Sequence, residues 1–306
     1  KKEERRSHMI KAIKFLAKYT KHRLEGVKSP AEYYQKIGDD VVPTLNDAFV
    51  NEKKPLWLNL GYWKEARTYK TACEDMARLL ANSGKFKDVN NLLDVGFGFG
   101  EQDLLWVTEF GVKHIEGVNI TPLHVEVANE RKKSSNLSER INYQIGNAVN
   151  LSFEENTFDR VVALESAFHF KPRVDFFKES YRVLKNEGML VIADMVSKEG
   201  EVVTRKSQKK GREEIYIPHE NAITKNVYLK QLKEAGFEIV TAFSIAPYVY
   251  AGARKYFYAR AFGRNVEQSI KLKEKDFLSS KGPKVWGRAY GLSDYVIFVA
   301  QKKEVE

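Results

Sequence analysis

Hydrophobic positions change period several times along the chain, and those changes divide it. Over residues 9–24, Met9, Ile10, Ile13, Leu16 and Ala17 share one helical face, with Lys11, Lys14, Lys18 and Lys21 as a basic stripe opposite. Tyr33-Tyr34, Gly38 and Pro43 follow, then the aromatic stretch Trp57-Leu58-Asn59-Leu60-Gly61-Tyr62-Trp63. A second helical period covers about 67–82 and stops near Gly84. From about residue 90, short apolar runs alternate with helical ones. Strands are predicted at Leu92–Val95, His114–Asn119, Ile141–Ile145, Asp159–Leu164 and Met189–Asp194. Helices are predicted over 101–110, from Pro122 to about 134, and over 173–185, the last ending before an Asn186-Glu187-Gly188 turn. This βαβαβ rhythm predicts a parallel sheet covered by helices on both faces.

Beyond residue 197 the pattern changes. Residues 198–214 are polar, cluster Arg205, Lys206, Lys209, Lys210 and Arg212, and read as an exposed loop. A helix is predicted over 225–235, a strand over Phe237–Ile245, an aromatic-rich helical stretch over 250–275, and a closing strand over Tyr295–Ala300. The chain so divides into an N-terminal helical arm (1–56), a ligand-binding core (57–197), a cap region (198–284) and a closing segment (285–306). Ser7-His8-Met9 reads as a vector-derived junction before an initiator Met, which puts residues 1–8 outside the native protein.

Composition narrows the function. With 306 residues and 43% hydrophobic content the chain can form a packed core. No apolar run reaches the roughly 18–20 residues a membrane-spanning helix needs. One cysteine, Cys73, excludes an intrachain disulfide framework and a multi-Cys zinc site, and the six histidines show no paired ligand spacing, so no metal is expected. The expectation is a cytoplasmic enzyme. The net charge of +10 is spread along the chain without a nucleic-acid motif, so no nucleic acid is expected as partner. The basic stripe over 9–24 reads either as a membrane-surface arm or as a helix packed on the protein's own cap, and the second reading is favoured.

The most informative segment is Leu92-Leu93-Asp94-Val95-Gly96-Phe97-Gly98-Phe99-Gly100-Glu101. Its glycines sit at a strand–turn–helix junction, where backbone approaches a ligand closely. The spacing is G-x-G-x-G, not the G-x-G-x-x-G of a dinucleotide fold. Asp94 and Glu101 flank the loop; carboxylates there would repel a pyrophosphate and suit a cationic ligand.

On these residues the chain resembles the class I S-adenosylmethionine (SAM)-dependent methyltransferases. Leu93–Gly100 looks like the family's first motif, Phe158-Asp159-Arg160-Val161 with Leu164-Glu165-Ser166 like its fourth-strand motif, and Arg182–Gly188 like the turn before its fifth strand. Leu58–Trp63 and Glu165-Ser166-Ala167-Phe168-His169 are similar to a subgroup that methylates small molecules, with sugar O-methyltransferases and sarcosine/dimethylglycine N-methyltransferases in it. The resemblance implies a Rossmann-like fold with a seven-stranded, mostly parallel sheet, SAM as cofactor and S-adenosylhomocysteine (SAH) as product. It assigns the cofactor to Tyr62, Asp94, Gly96, Phe97, Gly98, Gly100, Gln102, Asn119, Ile120, Asn147, Ala148, Leu164 and Glu165. Two departures stand out: Asn119 and Asn147 replace the acids that usually hold the ribose and the adenine amino group.

Methyl transfer to an alcohol or phenol also asks for a base, and histidine is the usual one. His169 follows the fourth strand, at the edge where open α/β sheets bind ligands, and Asp194 ends the next strand, placed to orient an imidazole. In the resembled subgroup these positions match a catalytic His and Asp; its second, adjacent histidine is Phe168 here. Glu165 is a candidate for holding positive charge. Tyr62 and Trp63 are candidates for a lid. Trp63, Phe168, Phe170, Tyr216, Tyr248 and Tyr250 are candidates for an acceptor pocket, and His219 for a cap-side base. The expected reaction is methylation of a hydroxyl of a small lipophilic or aromatic metabolite, and the partner is a small-molecule acceptor of lipophilic or anionic character. The alternatives are an amine, a prenyl diphosphate carbon, or a SAM-binding protein without catalysis.

Overall fold

The computed structural model describes residues 29–40, 55–133, 135–137, 139–200, 204, 216–261 and 292–303. Seven strands form one sheet: β1 (Asn91–Val95), β2 (His114–Asn119), β3 (Ile141–Ile145), β4 (Phe158–Leu164), β5 (Leu184–Val196), β6 (Phe237–Ser244) and β7 (Asp294–Lys302). Their spatial order is β3-β2-β1-β4-β5-β7-β6. The first five are mutually parallel, and β7 inserts antiparallel between β5 and β6.

The central strands are apolar on both sides, as a doubly covered sheet requires. Leu92, Val162, Val191, Ile297 and Val299 face one layer, where Met76, Ala77 and Leu80 of α2 (Tyr69–Ser83) and Trp106 of α3 (Glu101–Glu109) pack. Leu93, Val161, Leu190, Ile192 and Phe298 face the other, against Phe176 and Phe177 of α5 (Arg173–Val183) and Tyr228 and Leu232 of α6 (Lys225–Glu234). α4 (Pro122–Lys133) connects β2 to β3, and α7 (Ala246–Ala261) precedes the closing strand. α1 (Pro30–Asp40) packs on α4. Strand order reverses between β1 and β4, and such a switch point opens a crevice beyond the carboxyl ends of the strands.

Two expectations are revised. The fifth strand begins at Leu184, not Met189, because Leu184 already pairs with Phe158. Asn186–Gly188 is absorbed as an irregularity of that ladder, with Glu187 at φ 61°, and does not form a separate turn. The late helix starts at Ala246, earlier than residue 250. The expected helix over 9–24 and the basic loop 205–212 lie outside the described residues. Among the described residues no helix is long and apolar enough to cross a membrane.

Candidate active site

The carboxyl edge of the sheet carries a cavity of about 310 Å³. Its floor is the turn after β1. The Gly96 N–H donates to Val118 O (2.8 Å), and the Ser166 hydroxyl donates to Val95 O (2.7 Å), which joins the ends of β1, β2 and β4. Gly96 has φ +88°, and a Cβ there would lie 2.5 Å from that of Ser166. Gly100, at φ +76°, answers a different demand: a side chain there would collide with Tyr143.

Of the residues expected at the site, Gly96, Phe97, Gly98, Gln102, Asn119, Ile120, Asn147, Ala148, Leu164, Glu165, Phe168, His169, Phe170 and Tyr216 line this cavity together. Tyr62, Trp63, Asp94, Gly100, Asp194, His219, Tyr248 and Tyr250 do not. Trp63 is enclosed in the core: its Nε1 donates to Leu60 O (2.7 Å), and its ring lies near Tyr69 and Tyr256, closed off by Gly252, which leaves no room for a side chain. Tyr62 and Tyr248 pack on each other (5.6 Å between ring centres). The Tyr250 hydroxyl is spent on Leu292 O and Asp294 O. His219 is exposed beside Glu220. The cover contributed by the described residues is instead Pro30 and Tyr34 of α1 with Leu56 and Leu58.

His169 ends a 3₁₀ turn, Ala167–His169, directly after β4. Its Nδ1 lies 3.1 Å from Tyr216 O, a carbonyl that only accepts, so Nδ1 carries the proton. Nε2 therefore holds the lone pair, and the Tyr34 hydroxyl donates to it at 2.7 Å. Burial pushes the imidazole down to about 4, with the Tyr216 carbonyl opposing, which replaces the near-neutral base expected from the sequence. Burial also raises the Tyr34 phenol well above its ordinary range, so it is a donor and not an anion.

Asp194 does not orient the ring. It is buried, with Oδ2 3.0 Å from the Tyr228 hydroxyl and 3.4 Å from Arg173 Nη1, and Oδ1 accepts from the Met195 N–H (2.9 Å). It also accepts from the Phe168 backbone N–H, and so holds the turn that carries His169 from behind. Burial pushes its carboxyl up to about 6, against the Arg173 guanidinium.

The two flanking acids of the glycine loop are occupied as well. Asp94 is buried beneath the loop, where Oδ2 accepts from Gln102 Nε2 (2.9 Å), and burial pushes its carboxyl up to about 7. Glu101 accepts from the Leu56 N–H (2.7 Å) and pairs with Arg131. Neither offers a free charge to a ligand, which corrects the electrostatic part of the sequence argument. Glu165 is the carboxylate that does face the cavity, alone in this among its described lining residues. Its Oε1 accepts from the Leu60 N–H (2.8 Å) and the Tyr295 hydroxyl (2.7 Å); its backbone has φ 51°, and burial pushes the carboxyl up to about 7.

Pro30, Tyr34, Thr121, His124 and Lys171 line the cavity without having been singled out as site residues from the sequence. Tyr34 comes from an element 135 positions away from His169, so spacing carried no signal for it. His124 had one: it follows Pro122 at the start of a helix that begins at the ligand edge. No group of three or more His, Cys, Asp or Glu side chains able to hold a metal occurs among the described residues.

Residues 93–192 match a family model described as a methyltransferase domain. Erythromycin 3''-O-methyltransferase of Saccharopolyspora erythraea is 35% identical over 244 residues, 78% of this chain and 77% of that protein. The 27-O-demethylrifamycin SV methyltransferase of Amycolatopsis mediterranei is 29% identical over 66% of this chain and 75% of its own. Among solved structures, the cyclase SpnF superposes with a TM-score of 0.65 at 20% identity, covering 91% of this chain and 98% of that one. Geranyl diphosphate C-methyltransferase from Streptomyces coelicolor A3(2) gives 0.63 at 15% identity, covering 90% and 100%. The chain belongs to the class I SAM-dependent methyltransferases and is an enzyme of small-molecule methylation. The two superpositions bear on the fold alone.

The cavity suits that cofactor. The backbone of Gly96, Phe97 and Gly98 lines the cavity directly, and Gly96 lets Ser166 pack against it where a Cβ would collide. At the end of β2, Thr121 Oγ1 and His124 Nε2 are buried and have no hydrogen-bond partner among the described residues. A polar ligand at that edge would satisfy both.

Proposed function

We propose that this enzyme methylates a hydroxyl of a small lipophilic or aromatic metabolite, with His169 as the base. The observation that carries this reading is the tautomer of His169. Its Nδ1–H is committed to Tyr216 O, so Nε2 presents a lone pair inside the cavity, already engaged by a hydroxyl from Tyr34. The acceptor hydroxyl would take the place of that phenol and give its proton to Nε2 as the oxygen attacks. The Tyr216 carbonyl would then stabilise the imidazolium through Nδ1–H. Bound SAM supplies a methyl group on a sulfonium that is already activated. Gly96, Phe97 and Gly98 would hold its amino-acid part, Asn119 and His124 its ribose, and Asn147 and Ala148 its base. Glu165 would lie on the side of the cationic charge. Alignment in a water-poor cavity supplies most of the rate, on the order of 7–11 kcal/mol in well-oriented systems.

The names of the relatives support oxygen as the target: erythromycin 3''-O-methyltransferase is named for O-methylation, and several other similar proteins are O-methyltransferases by name. A diphosphate acceptor is less well supported, because Lys171 is the one Lys or Arg among the described lining residues and lies 3.4 Å from Glu220, while Arg254 is exposed. With one buried cysteine and no disulfide, we place the reaction in the cytoplasm. A panel of alcohols, phenols and amines incubated with SAM, read by product mass, tests the proposal. Methylation confined to amines would overturn it.

A further inference from the structure

The turn that carries His169 is gripped by residues 216–221 at Phe168, His169, Phe170 and Lys171 in succession. The Tyr216 carbonyl accepts from His169 Nδ1 (3.1 Å), and Glu220 Oε1 lies 3.4 Å from Lys171 Nζ. Asn221, 2% exposed, sits on the 3₁₀ turn His219–Asn221. Its Nδ2 donates to Phe168 O (3.0 Å) and to Phe170 O (2.7 Å), the carbonyls on either side of His169. Both partners only accept, so the amino group of the carboxamide faces them and each of its hydrogens is committed. The Phe168 N–H is already taken by Asp194, so both backbone groups of Phe168 are fixed.

The carbonyl that meets Nδ1 belongs to a residue at φ 52°, a left-handed conformation that a tyrosine holds only where its surroundings impose it. Next to it Ile217 is buried in the core, and the Asn221 N–H donates to Pro218 O (3.0 Å), so Tyr216–Asn221 is a short, internally bonded unit. Asn221 ties that unit to the turn. Without the tie the Tyr216 carbonyl can draw back from Nδ1, and a neutral imidazole that loses its acceptor there is free to carry its proton on Nε2 instead. The lone pair inside the cavity goes with that move. Asn221 itself does not line the cavity, so it acts on a ligand only through His169.

We propose that Asn221 is the positioning residue of the base: by holding the carbonyls of Phe168 and Phe170 it keeps the Tyr216 carbonyl on Nδ1 and the lone pair of His169 on Nε2. This rests on His169 being the base. An aspartate at the same position would set acceptor against acceptor and could not hold the turn.

NMR of isotope-labelled histidine ring nitrogens, in enzyme saturated with SAH, reads the tautomer directly; the His169 signals are those missing from His169→Asn. Wild type should show the proton on Nδ1, and Asn221→Ala a mixture of both tautomers. The rate of methyl transfer from SAM to an aliphatic alcohol should fall about tenfold in Asn221→Ala, the worth of the hydrogen bond that biases the tautomer, with KM and SAH affinity within about twofold of wild type. In a His169→Asn background the same substitution should lower the rate no further, whereas a merely structural loss would multiply. Should Asn221→Ala fail to fold, Asn221→Ser, which keeps one donor, should give the same changes with a rate loss of about threefold. An unchanged tautomer in a folded variant, or losses that multiply, would overturn the proposal. A wild-type rate in His169→Asn would instead overturn the base itself, and this proposal with it.

Discussion

The Tyr34 hydroxyl donates to His169 Nε2 at 2.7 Å across 135 positions of sequence, and their rings meet edge to face at 5.3 Å. One side chain from α1 thereby closes the cavity and occupies the atom assigned to the acceptor's proton. Removing that hydroxyl without removing the ring isolates its role. In Tyr34→Phe the acceptor no longer has to displace a hydrogen bond worth about 1 kcal/mol, so its KM should fall roughly three- to tenfold with kcat little changed. A fall in kcat at constant KM would make Tyr34 part of a proton relay instead, and steady-state kinetics over a range of acceptor concentrations distinguishes the two.

Trp63 and Tyr62 were expected to cover the ligand, and the structure places Trp63 in the core against Tyr69 and Tyr256. Trp63→Ala should therefore cost stability, about 3–5 kcal/mol, through a buried cavity. Urea unfolding should show that loss, while a sample kept folded at low temperature should bind SAH as the wild type does. Selective loss of SAH affinity with unchanged stability would restore the lid.

Glu165 makes a pH prediction with a definite sign. Its carboxyl is pushed up to about 7 from an ordinary 4.5, mainly by burial. The folded state thus holds a proton that the unfolded chain has lost, and the stability this confers is present below pH 4.5 and disappears as pH rises through 7. Glu165→Gln keeps an oxygen for the Leu60 N–H and the Tyr295 hydroxyl but cannot ionise. Its unfolding free energy relative to wild type should rise between pH 5 and 8, by at most about 3 kcal/mol and less to the extent that water reaches the carboxyl, and its melting temperature relative to wild type should rise with it. Affinity of the wild type for cationic SAM should increase over the same range, and that of the variant should not. Parallel melting curves would refute the assignment.

Asp194 and Arg173 form a buried pair behind the turn that carries His169, with the guanidinium 4.3 Å from the Tyr228 ring. Arg173→Met leaves the carboxyl uncompensated and should destabilise by about 3–5 kcal/mol. Asp194→Asn retains an acceptor for the Phe168 N–H and should cost less in both stability and rate. A rate loss in Asp194→Asn equal to that of a His169 substitution, at unchanged stability, would restore Asp194 as a direct partner of the base.

What was legible in the sequence was what is local. The strand at Ile141–Ile145 and the helix start at Pro122 follow from period and from proline's fixed φ, and the loop at Gly96–Gly100 from glycine's tolerance of positive φ. The ends of β1, β2 and β4 converge because strand order reverses beside β1, so Gly96, Asn119 and Glu165 were placed together by topology alone. Aromatic identity could not separate core from pocket: Phe168 and Tyr250 are both buried, and what distinguishes them is whether the neighbouring atoms belong to the cavity or to Leu292. The partners of charged residues were equally hidden. Asp194 sits at the predicted strand end, yet its guanidinium lies on the helix after β4 and turns it from an orienting residue into a support. The basicity of His169 depends on burial, which a strand-end position does not reveal.

The central claim is that His169 Nε2 takes the proton of an acceptor hydroxyl. The most direct measurement is the single-turnover rate of methyl transfer to an aliphatic alcohol acceptor in His169→Asn, at saturating SAM, beside the SAH affinity of the same variant. An aliphatic alcohol is the stringent choice because it does not ionise on its own near neutrality. The account predicts a fall of roughly 10²–10⁴ in rate, the usual worth of general base catalysis, with SAH affinity within about twofold of wild type. Because the imidazole titrates at about 4, the wild-type rate should also show no His169 limb between pH 6 and 8. A near-wild-type rate in the variant would contradict the account and leave the chemistry to alignment beside Glu165.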